Sequence, residues 1–197
     1  MSIAEKLVTI AENAPKVYEA GEKAQYDRFW DIYQENGGKQ FYSYAFYYWA
    51  NEVYNPKYPI YCDGSNTANQ TFRFSKILDT KVTIIIYSNN STYVFAESKI
   101  QTIRKLIIDP GTTFVNWFYR ATALKNLTIS GTIANDFDIH WSTKLSKASI
   151  TSIFNSLYSN VTGKTVTINK TAKEKAFTDA EWQALVATKP NWTIVLV

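Results

Sequence analysis

Three segments decide how this chain reads: Val82-Thr83-Ile84, Leu106-Ile107-Ile108 and Leu127-Thr128-Ile129. They look like successive copies of one short apolar strand. The last two carry an apolar residue three positions upstream, as Ile103-x-x-Leu106-x-Ile108 and Leu124-x-x-Leu127-x-Ile129, while the first is looser, with Leu78 ahead of Val82. An aromatic precedes each copy: Phe74, Phe95 and Phe118. The strands recur after 24 and then 21 residues. That period lies in the range of leucine-rich repeats, in which each unit contributes one strand. A unit so short cannot bury its own apolar face, so stacking must build the core.

Outward from this stretch, polar turns such as Ser88-Asn89-Asn90-Ser91 and Asp109-Pro110-Gly111-Thr112 separate the strands. Proline fixes φ there, and glycine and asparagine tolerate the left-handed region. Beyond Ile129 the pattern changes. Phe137-Asp138-Ile139-His140-Trp141 alternates like a strand. Ser146 caps a helix over Lys147 to Leu157, with Ile150, Ile153, Phe154 and Leu157 on one face. Thr165 to Ile168 reads as a strand, Thr178-Asp179-Ala180-Glu181 as a capping box opening a helix to Thr188, and Trp192 to Val197 as a last strand. The expected fold is α/β: a leucine-rich-repeat-like right-handed solenoid over residues 71–197, after an N-terminal helical segment.

That segment, residues 1–36, opens on the capping box Ser2-Ile3-Ala4-Glu5. Apolar or small residues at Ile3, Leu7, Ile10, Ala14, Val17, Gly21 and Ala24 alternate four and three apart, the seam of a coiled coil. Pro15 interrupts it. Two readings stand side by side: a stalk that gathers copies through Ile3, Leu7, Ile10 and Val17, with a trimer favoured, or an amphipathic helix packed on its own domain. Residues 37–70 form an aromatic-rich cap around Phe41, Tyr42, Tyr44, Phe46, Tyr47, Tyr48, Trp49 and Tyr54. Closing the end of a repeat stack is favoured over sugar stacking for these rings. Pro56 and Pro59 break regular structure, Cys62-Asp63-Gly64-Ser65-Asn66 reads as a turn, and a cap strand is expected around Thr71 to Phe74.

The composition narrows the function. The 197 residues are 46% hydrophobic and 19% charged, an ordinary globular balance. The net charge of +4 comes from scattered lysines, without the clustered basic face a nucleic-acid partner wants. No apolar run reaches membrane-spanning length, and no charged-then-apolar leader opens the chain, so neither membrane insertion nor secretion is expected. One cysteine and one histidine leave little for catalysis. Neither a phosphate loop nor a metalloprotease or hydrolase motif is present. Asp136-x-Asp138-x-His140 places two carboxylates and an imidazole on one face of a strand, a donor set for manganese or zinc. The ordinary alternation of a half-exposed strand explains it better. No enzyme activity, cofactor or metal is expected. The candidate partner-binding residues are the aromatics on or beside the strands, Tyr87, Tyr93, Trp117 and Tyr119, together with Trp49.

Both ends carry a resemblance. Leu145-Ser146-Lys147-x-Ser149-Ile150-Thr151-Ser152-Ile153, Thr162-Gly163-Lys164-Thr165-Val166-Thr167 and Trp182-x-x-Leu185-Val186-Ala187-x-Lys189-Pro190-Asn191-Trp192-Thr193-Ile194 resemble the C-terminal end of BspA-like leucine-rich-repeat proteins of Firmicutes, and of phage or prophage minor structural proteins carrying such repeats. Ile3-Ala4-Glu5-Lys6-Leu7, Lys16-Val17-Tyr18-x-Ala20-Gly21 and Phe29-Trp30-Asp31 resemble the stalk of those phage proteins, from which Pro15 departs. The resemblance implies a non-enzymatic virion structural protein of fibre, tail or decoration type, made in the host bacterial cytoplasm. Its repeat surface would bind a cell-surface glycan, a host protein or another virion protein. The alternative it implies is a bacterial cell-surface adhesin.

Overall fold

A computed structural model describes residues 56–63 and 68–197, together with Lys23, Ala24, Asp27, Arg28, Trp30, Asp31, Gln34 and Glu35. The chain divides into two compact units, Met1–Gly38 and Lys39–Val197. In the first, those eight residues are helical. Lys23 pairs with Asp27 one turn on, Arg28 reaches Glu35 at 3.1 Å, and Trp30 is buried. The stalk residues Ile3, Leu7, Ile10 and Val17, and Trp49 of the cap, lie outside the described residues.

Among its described residues, the second unit carries first a four-stranded parallel sheet. Its strands are β1 (Ile60–Asp63), β2 (Thr83–Tyr87), β3 (Thr102–Ile108) and β4 (Asn126–Gly131), paired in chain order. Side chains alternate across each strand. Ile60 and Cys62, Ile84 and Ile86, Leu106 and Ile108, and Leu127 and Ile129 therefore share the buried face. Ile60, Ile84, Leu106 and Ile129 are successive partners in register. A shift between Ile103 and Leu106 absorbs the unequal spacing of the last two copies. The segments 82–84, 106–108 and 127–129 lie on adjacent strands but out of step: Leu106 pairs with Ile84 and Ile129, so the counterpart of Leu106-Ile107-Ile108 in β2 is Ile84-Ile85-Ile86. β1 follows directly on Pro56 and Pro59 and takes in the first two residues of the turn expected over Cys62 to Asn66, and Ile60-Tyr61-Cys62 keeps the period of two.

A second ladder stacks behind the strands. Phe72 N–H donates to Val94 O at 2.8 Å, and Phe95 N–H to Trp117 O at 2.9 Å. Gln70 to Thr92, Tyr93 to Val115 and Glu97 to Tyr119 continue it. Left-handed backbone recurs at Gln70, Tyr93 and Asn116, and again at Phe74, Glu97 and Arg120, 23 residues apart in each series. Phe72, Phe95 and Phe118 stack ring on ring, with centroids 5.3 and 5.5 Å apart and planes within 15°. Phe72, not Phe74, is thus the first copy's equivalent of Phe95 and Phe118, and residues 71–74 are turn rather than strand.

The sheet stops at β4. Helix α1 (Lys147–Ser156), capped by Ser146, lays a row of serines along that strand's outer edge. Ser149 Oγ accepts from Leu127 N–H and Ser152 Oγ from Ile129 N–H, both at 2.8 Å. Ser149 also donates to Lys125 O, and Ser156 to Ile129 O. The backbone groups that would have paired a fifth strand are consumed by hydroxyls. Gly131 turns the chain away at φ 110°, so close to the sheet that a Cβ there would meet Ile108 O at 2.0 Å.

A separate three-stranded parallel sheet follows: β5 (Phe137–Asp138), β6 (Lys164–Ile168) and β7 (Trp192–Leu196). Between β6 and β7 lie α2 (Lys170–Ala176), capped by Asn169, and α3 (Asp179–Ala187), opened by the expected Thr178–Glu181 capping box. The expectation of one leucine-rich-repeat-like right-handed solenoid over 71–197 is therefore corrected. The described fold is an α/β mix of two small parallel sheets with few helices. The physical reason is the serine-capped edge of β4 and the break at Gly131. α2 went unread because it is short, lysine-rich and without an apolar stripe.

Side-chain donors then tie later segments to earlier carbonyls. Asn135 reaches Thr112 O, and Asn169 reaches His140 O. Lys189, Trp192 and Asn191 hold the successive carbonyls of Leu157, Tyr158 and Ser159 at 2.6, 2.8 and 2.8 Å. The Lys189-Pro190-Asn191-Trp192 motif is this clamp. Burial pushes the Lys189 ammonium below the usual lysine pKa.

Candidate functional site: an aromatic and cationic ridge

The stacked turns carry a line of rings on their outer side. Tyr93 and Tyr119 meet edge to face, 6.2 Å apart at 87°. Tyr119 meets Trp141 at 5.5 Å and 73°, and His140 lies 4.9 Å from Trp141. All four side chains are half-buried: seated on the fold, open to solvent on one side. Each step follows a stacking step, so the ladder sets the spacing of the rings, at about 4.8 Å per rung before side chains lean.

Cations are interleaved with the rings. The Arg73 guanidinium lies 4.6 Å from the centroid of Tyr93 and 4.7 Å from that of Phe74. Glu97 accepts from it at 2.8 Å and Gln70 at 2.9 Å, which fixes it in place. Arg120 sits 5.1 Å from the Tyr119 centroid and makes no ion pair among the described residues. Such contacts are worth about 0.5–1 kcal/mol each at exposed sites. At the far end Asp138 Oδ1 lies 2.6 Å from His140 Nδ1, and Asn169 holds the His140 carbonyl.

The polar tips distinguish the ridge from the core. Trp117 donates its Nε1 to Ser91 O and Trp192 donates its own to Tyr158 O. The hydroxyls of Tyr93 and Tyr119 and the Nε1 of Trp141 have no hydrogen-bond partner among the described residues. They are left to water or to a ligand.

No family model, curated protein or solved structure matches this chain.

Of the aromatics singled out in the sequence, Tyr93 and Tyr119 belong to the ridge. Trp117 does not: it is fully buried against Phe95 and Phe114, so it is core and offers no contact surface. Tyr87 lies elsewhere, on the solvent face of the first sheet, edge-on to Tyr61 at 6.0 Å. Trp141, Arg73 and Arg120 were not singled out. Their signal was adjacency: Tyr119-Arg120 and His140-Trp141 each put a ring beside a basic residue one rung apart. Asp136, Asp138 and His140 do not converge. Asp136 accepts from Thr165 N–H at 2.8 Å while Asp138 turns to His140. No group of three metal-ligating side chains exists among the described residues. A shallow, open groove of about 590 Å³ lies between β4 and α1, but its one charged lining residue, Lys147, is paired with Glu181. No helix among the described residues is long and apolar enough to cross a membrane.

Proposed function

We propose that this chain is a non-enzymatic structural protein of a phage or prophage virion, of fibre, tail or decoration type. In this reading it contacts a host surface or another virion protein through the Tyr93–Tyr119–Trp141 ridge. The observation that carries the reading is that ridge: three half-exposed rings, one per rung, with unsatisfied polar tips and interleaved guanidinium groups. Interfaces draw their energy from a few aromatic and arginine anchors on a rigid support. The virion assignment rests on the resemblance of residues 145–153, 162–167 and 182–194 described above. An N-terminal stalk built on Ile3, Leu7, Ile10 and Val17 would multiply a modest single-site affinity by presenting several ridges at once.

The test titrates fluorescently labelled full-length chain on bacterial cells and on purified particles, beside Trp141→Ala and Tyr119→Ala. Truncating a central anchor costs about 2 kcal/mol or more, close to a thirtyfold loss of affinity. Folded variants that bind as tightly as the parent would remove the ridge from the interface. Detection of the chain on the bacterial envelope and not in particles would favour the adhesin.

A further inference from the structure

We infer that the ridge is a platform for an anionic saccharide chain. The inference rests on the reading of the ridge as the contact surface and names the class of ligand that fits it. Three independent features converge. First, the rings succeed one another along the stack with centroids 6.2 and 5.5 Å apart, each edge to face with the next, a spacing comparable to one hexose unit, so successive sugars would meet successive rings. A pyranose offers an apolar C–H face to a ring and hydroxyls around its rim. Tyr93, Tyr119 and Trp141 present the matching combination of ring surface and unsatisfied O–H or N–H tips.

Second, cations stand free beside the ridge. Glu97 is occupied by Arg73, and Asp138, 2.6 Å from His140 Nδ1, is a carboxylate that an uncharged imidazole leaves negative at that end. Arg120 has no acidic partner. Neither has Lys144, three residues beyond Trp141, nor Lys170, next to the asparagine that holds the His140 carbonyl. All three are exposed. Third, Arg120 is presented rather than sequestered: it is exposed, rests on the Tyr119 ring and bonds none of its N–H groups to a described residue, which leaves a guanidinium able to take a carboxylate or phosphate oxygen pair. A neutral glycan would leave these cations unused, whereas an acidic chain meets ring and charge together.

The test is an array that pairs each anionic oligosaccharide with its neutral counterpart: uronate oligomers beside their methyl esters, sialylated glycans beside asialo forms, and phosphodiester-linked polyols beside unphosphorylated ones. The carboxylate and phosphate arms distinguish the two sources of charge. Full-length chain is expected to bind at least one anionic member about tenfold more tightly than its neutral partner, with binding that weakens as salt rises. Trp141→Ala should abolish the signal. Arg120→Gln should narrow the anionic preference several-fold while lowering stability by no more than the ring contact it gives up. A blank array overturns the inference, as does equal binding to neutral partners or an unaltered signal from Trp141→Ala. If the array is blank but Trp141→Ala still loses cell or particle binding, the partner is a protein. The ridge then remains the contact surface and only the saccharide assignment falls. If cell binding survives Trp141→Ala, the contact surface itself is elsewhere.

Discussion

Removing the hydroxyl of Ser149 should unfasten the end of the first sheet. Ser149 is 2% exposed and sits between the Leu127 amide of β4 and the carbonyl of Lys125 just ahead of that strand. Its Oγ accepts from Leu127 N–H at 2.8 Å and lies 3.1 Å from Lys125 O, to which it donates. Ser149→Ala deletes the acceptor and the donor in one step, and Leu127, itself 1% exposed, leaves its amide no access to water. A buried donor stripped of its partner costs about 1–3 kcal/mol, and the loss of the second bond adds to it, so about 2–3 kcal/mol is expected. The cap of α1 keeps its backbone bond, because Ser146 Oγ still accepts from the N–H of residue 149, and loses only the 2.8 Å hydroxyl contact between Ser146 and Ser149. For a domain of this size that is a fall in melting temperature of about 4–12 °C. Ser152→Ala is the internal control. Its bond to Ile129 N–H is as short, but the site is only part-buried, so water can replace the hydroxyl and the loss should stay near 1 kcal/mol. Calorimetry on both variants decides it. A Ser149→Ala melting temperature within about 1 °C of the parent, or a Ser152→Ala loss as large, would refute the claim that buried hydroxyls terminate this sheet.

Further outcomes follow from the same geometry. Gly131→Ala should cost about 3 kcal/mol or more in urea unfolding, because its φ of 110° and the Ile108 carbonyl leave no room for a Cβ. Gly163→Ala, at φ 68° with nothing within 4 Å, should cost only about 1 kcal/mol. Lys147, with the backbone and hydroxyl of Thr178, holds the Glu181 carboxyl down from 4.5 to about 2. A depressed folded pKa means that the contribution is present above 4.5 and disappears as pH falls toward 2. The gap in urea midpoint between the parent and Glu181→Gln should therefore be full near neutrality and closed at the acid end, and a gap that persists there would reverse the assignment. Arg120 sits at φ 51°, so Arg120→Gly should melt higher than Arg120→Ala, by the equivalent of about 0.5–1 kcal/mol, since both lose the ring contact and only alanine keeps the left-handed strain.

Period two and the copies of Leu-x-Ile made the first sheet legible: Leu106 and Ile108, and Leu127 and Ile129, point inward as their spacing required. Hydroxyl and amide chemistry was not legible. Ser149 and Ser152 read as neutral helix positions, because nothing in a sequence shows that their neighbours are amide groups of a strand some 23 residues earlier. That blindness produced the expectation of one continuous stack, since the apolar pattern does not mark where an edge is closed. β1 was hidden for a different reason: the two prolines just ahead of it read as a break, although proline is also tolerated where a strand begins. At the ridge, Tyr93 and Tyr119 could be named from their position beside the strands, yet Trp117 shares that position and is core. The difference is a backbone one: Trp117 lies between two stacked turns and finds Ser91 O for its indole N–H.

The repetition is stricter in the backbone than in the residue types. Gln70, Tyr93 and Asn116 share a left-handed conformation although a polar amide, an aromatic and a turn-former occupy the position, and Phe74, Glu97 and Arg120 are as unlike one another. For a non-glycine residue that conformation costs about 1–2 kcal/mol, so local preference cannot be its cause. The cause is the ladder: each turn donates to the carbonyls of the next, Tyr93 to Val115 and Glu97 to Tyr119, and that pairing exists only if every copy adopts the same φ and ψ. The stack thus over-determines the turns and leaves their side chains free to vary. That is the condition under which a structural scaffold can hold a line of recognition groups. The strained positions are set by hydrogen bonds between rungs, and the outer residues, Tyr93 and Arg120 among them, are available for contact at no further cost to the fold.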